Sequence, residues 1–323
     1  SSCAWSSRTG SSSSGAASVS GAEKSAFGKS VLEALAERDE DQVVGVFAPP
    51  SRENRPLDPI TEAATELEVP IFEFKRLRDQ EAIDKFKSLE PDLCVMAFVT
   101  DIVPMEMIDC PSLGTIQYHP SLLPLHRGPS SINWPIIYGE TETGLTIFWP
   151  DKGLDTGPVL MQKNAEIEAD ETLGSLYFNK LYPLGVEALI ESVDLVRTGN
   201  APKIVQDESK ATYEGWCKAE DVDVDWSAST SAVFNMIRGA DPQPGANTTF
   251  NGTRVSLYDA SLSAPSSSKP AETGLLLASG ESGITISTGD GSVNIGRLKT
   301  AGRKKVSAAE WTESARRLDA SRV

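Results

Sequence analysis

The chain of 323 residues holds only two histidines, His119 and His126, and they fall in one loop. An apolar run from Gly114 to Tyr118 leads straight into His119-Pro120-Ser121, with Pro124 and Gly128 close behind. That pattern predicts a strand stopping abruptly in a loop, where an open α/β sheet keeps its chemistry. A second strand pattern, Leu145 to Trp149, runs into Asp151-Lys152-Gly153-Leu154-Asp155-Thr156-Gly157. Two Asp and two Gly in seven residues suit a tight, backbone-exposed bend. Together the two loops offer acid–base chemistry. An imidazole titrates near neutrality, and a carboxylate beside it can orient the ring or hold a water as general base.

Each candidate has a plainer reading beside the functional one. A histidine at a strand end is commonly a satisfied structural residue, and Asp before Thr-Gly favours local backbone bonding. His126 reads as structural or as a pocket wall, and Asp151 as a surface turn former. Ser121 lies close to His119, but no second acid beside them suggests a serine triad, so its hydroxyl is read as a loop cap.

The elements that must position these residues alternate. Helical spacing covers Ala26 to Ala36, Ile60 to Leu67 and Gln80 to Leu89; strand runs cover Val43 to Ala48, Val69 to Phe74 and Leu93 to Phe98. Buried strands alternating with helices predict an α/β fold with a doubly wound, mostly parallel sheet. Val159 to Gln162 reads as a return strand pairing with Leu145 to Trp149. Asp170 reads as the cap of one long helix through Leu195, whose stripe of Leu173, Leu176, Tyr177, Leu181 and Leu184 is core. From Ala201 to Thr212 the chain reads as a linker. After it comes one helix, Ala232 to Ile237, then short β patterns at Arg254 to Tyr258, Gly274 to Ala278, Gly283 to Ser287 and Ser292 to Ile295, which suggest a small barrel. The expected layout is a low-complexity N-terminus over 1–22, a catalytic domain over 23–200, a linker over 201–212 and a barrel domain over 213–323.

Composition narrows the partners. Hydrophobic content of 39% and charged content of 24% are ordinary for a globular chain. No apolar run reaches the ~20 residues a membrane span needs, so no membrane is expected. The four cysteines, Cys3, Cys94, Cys110 and Cys217, are far apart and form no CxxC, which argues for free thiols and no metal. The net charge is −16; from Ala201 onward 14 Lys+Arg face 15 Asp+Glu, so the first 200 residues carry nearly all of it. Phosphate contacts dominate nucleic-acid affinity, and the one dense basic cluster is Arg303-Lys304-Lys305. No nucleic acid is expected. Residues 1–22 are Ser, Gly and Ala rich with a single Arg8 and no acid before Glu23. Such a segment predicts disorder, with a transit peptide as the alternative.

HPSLLP, HRG, INW and GLDTG, in that order, resemble the folate-dependent formyltransferase family. Within it they are most similar to the hydrolase domain found at the front of 10-formyltetrahydrofolate dehydrogenases. Later blocks repeat the resemblance: ATYEG at Ala211 to Gly215, Asp225-Trp226, and IRGADPQPGA from Ile237 to Ala246. It runs from about Phe27 to the end. The resemblance implies a Rossmann-like formyltransferase domain followed by an OB-like barrel. It also implies catalytic roles for His119 and Asp155. Family transferases carry Asn two residues before the histidine to polarise the formyl oxygen; here Gln117 stands there, a third catalytic candidate whose amide either recovers part of the Asn role or faces the core wall, followed by Tyr118 as in the hydrolase relatives. The pterin is expected on the backbone of Asp101, Ile102 and Val103, with Met96, Phe98 and Leu122 as apolar walls. Met96 and Phe98 read equally well as core, and Asp101 stands where close relatives carry Gln. Arg127 is left open between holding loop geometry and meeting the folate glutamate. Relatives also begin with a strongly apolar first strand, for which AASVSGAEKSAFG is a poor substitute.

The expected activity is removal of the formyl group of 10-formyltetrahydrofolate to give tetrahydrofolate, in the cytoplasm, or in mitochondrion or plastid if residues 1–22 are a transit peptide. The alternatives are formyl transfer to methionyl-tRNA or a small amine, and a non-catalytic folate-binding remnant. No NADP site is expected in this chain, because the carrier and aldehyde dehydrogenase domains of the full dehydrogenases lie outside it.

Overall fold

Seven strands among the described residues carry the first part of the chain, the first five paired in parallel and the last two added by antiparallel pairing. The computed structural model describes residues 2–6, 21–51, 57–97, 99, 102–263 and 272–313. Strand β1 (Ser2–Ser6) precedes helix α1 (Gly21–Ala36), then β2 (Gln42–Ala48), α2 (Pro59–Glu66), β3 (Ile71–Glu73), α3 (Gln80–Ser88) and β4 (Leu93–Met96). A single turn α4 (Met105–Ile108) leads to β5 (Thr115–His119), α5 (Asn133–Tyr138) and the hairpin of β6 (Glu142–Phe148) with β7 (Val159–Glu166). The spatial order is β3-β2-β1-β4-β5-β6-β7. Order reverses between β1 and β4, so the ligand crevice of such a sheet lies beyond their carboxyl ends. His119 closes the next strand along.

The expectation of a structureless N-terminus fails at Ser2–Ser6. These residues pair in parallel with both β2 and β4, filling the central place for which AASVSGAEKSAFG looked so poor. Ser2–Ser6 opens a Ser-, Gly- and Ala-rich stretch that reads as low complexity, and ladders on both edges hold the strand by its backbone.

Helices cover both faces of the sheet because its strands are apolar on both sides. One core gathers Phe27, Val31, Leu32 and Leu35 of α1 with Val95, Ile116, Tyr118, Ile147, Ala188, Leu189 and Val193. The other packs Ile83 and Phe86 of α3 and Met107 of α4 on Phe47, Cys94 and Met96. Full burial of one such side chain as Phe27 contributes about 1.5–3 kcal/mol.

The expected long helix is broken into pieces. Thr172, not Asp170, is the cap: its hydroxyl accepts the Ser175 N–H while the Ser175 hydroxyl accepts the Thr172 N–H. Helix α6 (Leu173–Leu176) passes through a π-helical turn at Tyr177–Leu181 into α7 (Tyr182–Arg197). Pro183 in the first turn of α7 has no N–H to give the preceding turn, and a wide turn accommodates it. The predicted stripe is still core, with Leu173, Leu176, Tyr177 and Leu181 all buried.

The rest of the chain forms α8 (Thr230–Gly239) and an antiparallel sheet of β8 (Ala246–Phe250), β9 (Thr253–Leu262), β10 (Leu276–Gly280), β11 (Gly283–Ser287), β12 (Ser292–Thr300) and β13 (Val306–Ser307). Its order is β10-β11-β12-β9-β8, with β13 on β12, a small barrel-like domain. Its own core centres on Phe234, Ile237, Val255, Leu257, Val293, Ile295 and Leu298. The domains are stitched at α5: the Asn133 amide donates to the carbonyls of Gly239 and Gln243, and the Trp134 indole to that of Gly215. Asn133 and Trp134 of the INW triplet are thus spent on the interface, while Ile132 sits in the first core.

Candidate active site

Strand β5 decides which side chains reach the site. Tyr118 goes into the α1–α7 core, its ring 4.6 Å from Phe27 and its hydroxyl donating to the Leu181 carbonyl at 3.4 Å. Burial pushes that phenol far up from its ordinary value, so it stays protonated. Alternation then puts Gln117 and His119 together on the opposite face. The neighbouring strands present Met96 beside Gln117, Phe148 opposite Gln117 and Thr146 opposite His119.

Past His119 a set of polar contacts shapes the loop 120–128. The Ser121 hydroxyl donates to the Leu125 carbonyl at 2.7 Å, as its reading as a loop cap requires. Thr146, buried on β6, accepts the Leu123 N–H and donates to the Ser121 carbonyl. The Gln162 amide on β7 reaches the Leu123 carbonyl and the same Thr146 hydroxyl. Leu122 packs over Gly144 on the same face of β6, where a Cβ would come within 2.6 Å of its side chain.

Asp155 is the other half of the site. It lies in the loop joining β6 to β7 with a left-handed backbone, φ 57°, tolerable for Asp but not for most residues. One carboxylate oxygen, Oδ2, accepts the Gly128 N–H at 2.9 Å and lies 3.7 Å from His119 Nδ1. Both side chains are buried, at about 7% exposed each. Gly128 sits at φ 110°, and a Cβ there would stand 2.2 Å from the Glu214 carbonyl oxygen, so only glycine delivers that N–H. The HRG and GLDTG motifs, 27 residues apart between Gly128 and Asp155, meet at this hydrogen bond.

The stretch read as a linker runs along the site as a strap. Ile204 pairs with Val159, Thr212 accepts from the backbone of His126 and Arg127, and Glu214 donates to the Arg127 carbonyl. The Gln206 amide donates to the carbonyls of both Asp155 and Gly157, at 2.9 and 2.7 Å. Its oxygen in turn takes the Arg127 guanidinium, which also pairs with both oxygens of Glu208. Hydrogen bonding to Arg127 lowers the Glu208 carboxyl and raises the guanidinium further, so this pair stays ionised. Arg127 is therefore occupied in holding the Asp155 loop. Asp151 is the exposed turn former expected, accepting from Gly153 N–H and the Thr156 hydroxyl.

His119 and Asp155 meet, and Gln117 lies one strand repeat back on the same face, about 7 Å along. Of the expected pterin residues, Val103 is half-buried against the α3 core and Ile102 is 72% exposed beyond β4. Met96 is packed in that core, 3% exposed, which favours the plainer of its two readings. Phe98 and Asp101 lie outside the described residues. Among the described residues no group of three or more His, Cys, Asp and Glu is arranged to hold a metal ion. Nor does any helix among them have the length and apolarity to cross a membrane. Sequence reasoning missed Thr146, Gln162, Gln206 and Glu140. Thr212 and Glu214 had a signal, since both sit in the ATYEG block that carried the resemblance.

Fold and site together define a doubly wound α/β protein with a buried imidazole–carboxylate pair at its carboxyl edge and a barrel-like domain behind it. Residues 17–193 match the formyl transferase family and residues 217–316 its C-terminal domain, so the chain belongs to that family. It is 40% identical over 244 residues to the human mitochondrial 10-formyltetrahydrofolate dehydrogenase, covering 74% of this chain and 26% of that protein. The chain thus spans about a quarter of the length of such relatives. It is 35% identical over 290 residues to the methionyl-tRNA formyltransferase of Trichlorobacter lovleyi, covering 88% of this chain and 90% of the other. Among solved structures, HypX from Aquifex aeolicus with tetrahydrofolic acid superposes with a TM-score of 0.61 at 24% identity, over 76% of this chain and 43% of that one. An N-formyltransferase from Helicobacter canadensis, with folinic acid and dTDP-3-aminofucose, gives 0.62 at 17% identity, over 91% and 97%. At such identities these two speak for the fold.

Proposed function

We infer that this chain binds 10-formyltetrahydrofolate and hydrolyses it to formate and tetrahydrofolate. The observation that carries the reading is the buried meeting of His119 Nδ1 and Asp155 Oδ2 at 3.7 Å, built by two loops 36 positions apart in sequence. The separation is too long for a direct hydrogen bond, and it suits a water bonded to both groups from one side. The similarity to the front quarter of a 10-formyltetrahydrofolate dehydrogenase points the same way. So does the Gln117-Tyr118-His119 order. Folate binding is supported by the family and by the folate ligands of its fold neighbours.

In the reaction Asp155 holds the water and His119 takes one proton as the water oxygen bonds to the formyl carbon. The carbonyl electron pair moves onto the formyl oxygen, where the Gln117 amide and the buried surroundings stabilise it. As that pair returns, the bond from carbon to N10 breaks and His119 gives its proton to N10. Tetrahydrofolate and formic acid leave, and the acid ionises to formate.

Transfer to an acceptor is the second reading, because the methionyl-tRNA formyltransferase match covers nearly the whole of both chains. Absorbance-monitored loss of 10-formyltetrahydrofolate decides between them. Turnover in water or with a small thiol, lost in His119→Ala and Asp155→Asn, supports hydrolysis. Turnover only with methionyl-tRNA or an amine supports transfer, and folate binding without any turnover would sink both.

A further inference from the structure

The second histidine is placed to act through the first. His119 Nε2 lies 2.9 Å from the backbone carbonyl oxygen of His126. A carbonyl only accepts, so Nε2 carries the hydrogen, and in the neutral ring the lone pair is on Nδ1, the nitrogen facing Asp155. The partner that fixes this tautomer is a main-chain atom, and its aim depends on an unusual backbone. His126 is left-handed, φ 54°, a conformation that histidine adopts far less readily than glycine.

What holds it there is its own side chain and the strap. Ring nitrogen Nδ1 lies 3.2 Å from Glu214 Oε2, and Nε2 lies 3.1 Å from both carboxylate oxygens of Glu140. Carboxylates only accept, so a ring that satisfies both carries two N–H groups. The His126 N–H donates to the Thr212 hydroxyl at 2.7 Å. The Tyr138 ring covers one side, 6.4 Å between centroids. Three chain segments, the turn after α5, the strap and the loop after β5, thus converge on one side chain whose carbonyl orients the reacting imidazole. A histidine needed only for stability would require no particular direction of its carbonyl.

We propose that His126 is a positioning residue: tethered between Glu140 and Glu214, it holds its carbonyl oxygen on His119 Nε2–H and so keeps the Nδ1 lone pair turned to Asp155 and the substrate. This rests on His119 being the reacting imidazole, but the first test does not need turnover. With two histidines in the chain, protein labelled with ¹⁵N-histidine gives two imidazole patterns in a long-range ¹H–¹⁵N correlation spectrum. His126→Asn leaves only that of His119. The expected pattern is a neutral ring protonated on Nε2 in the wild type. His126→Ala, which loses both tethers and disfavours the left-handed backbone, gives mixed tautomers. It also lowers kcat for deformylation by about 10- to 100-fold with KM nearly unchanged. His126→Asn, whose side chain tolerates that backbone, recovers part of the loss. A wild-type His119 protonated on Nδ1 would overturn the proposal even if no variant folds, as would a His126→Ala protein that loses stability but keeps tautomer and kcat. If the chain turns nothing over, the spectrum still decides the tautomer. A failed hydrolase reading and a failed positioning role are thereby told apart.

Discussion

The corner at His119 and the sheet of the second domain bury polar groups in opposite ways. Around His119 the buried residues include Ser121, His126, Arg127, Thr146, Asp155 and Gln206, most of them in loops. Two of these, His126 and Asp155, also hold left-handed backbones. In the second domain the sheet interior is Val255, Leu257, Ile284, Ile286, Val293, Ile295 and Leu298, and regular ladders take up the backbone. One region obtains its order from apolar contact and tolerates local change. The other obtains it from a chain of directional bonds, Arg127 to Gln206 to Asp155, in which each link sets the aim of the next. Chemistry belongs to the second kind of region because it needs directions, not only contacts.

The largest expected effect breaks the comparison at its chemical end. Asp155→Asn and His119→Ala each lower kcat by on the order of 10²–10⁴-fold, the range for losing an acid–base group, while the second domain is untouched. Steady-state rates with melting curves check this; a loss confined to melting temperature would contradict it. Next comes the apolar side. Ile295→Ala, at a fully buried position of β12, costs about 2–5 kcal/mol in denaturant titration, with kcat per folded molecule unchanged. Gln206→Leu should show both behaviours. It leaves the Asp155 and Gly157 carbonyls without a donor, at about 1–3 kcal/mol. Because it also frees Asp155, its kcat falls where that of Ile295→Ala does not.

How much of this was legible follows from the same contrast. The parallel sheet showed in apolar runs such as Leu93 to Met96, and the His119–Asp155 pair showed because each residue sits in a recognisable local motif. The strap did not show, since Gln206, Glu208 and Thr212 are ordinary polar residues whose role comes entirely from what folds against them. β1 was hidden for the converse reason: two neighbouring strands hold it by backbone bonds, and its five residues lie in a stretch whose overall Ser, Gly and Ala content is that of a tail. The broken helix escaped notice because the capping of Thr172 by Ser175 lies two residues beyond the more conspicuous Asp170.

The smallest expected effect is silent at neutral pH. Burial, with a lesser push from Asp221, raises the Cys217 thiol to about 12 from an ordinary 9.0. Between those values the unfolded chain has lost a proton that the folded one keeps, so stability falls as pH rises through that window and is unaffected below it. At pH 7 this thiol resists alkylation until the barrel-like domain unfolds. Modification of Cys217 in the native protein, read by peptide mass spectrometry, would contradict the packing of that domain.

The central claim is that water, held between His119 and Asp155, is the acceptor of the formyl group. It is tested most directly by turning over 10-formyltetrahydrofolate in ¹⁸O-labelled water and reading the formate by mass spectrometry. The account predicts one labelled oxygen in each formate released, at a rate that collapses in Asp155→Asn. Formate without label, or no formate until an amine or methionyl-tRNA is added, would contradict it.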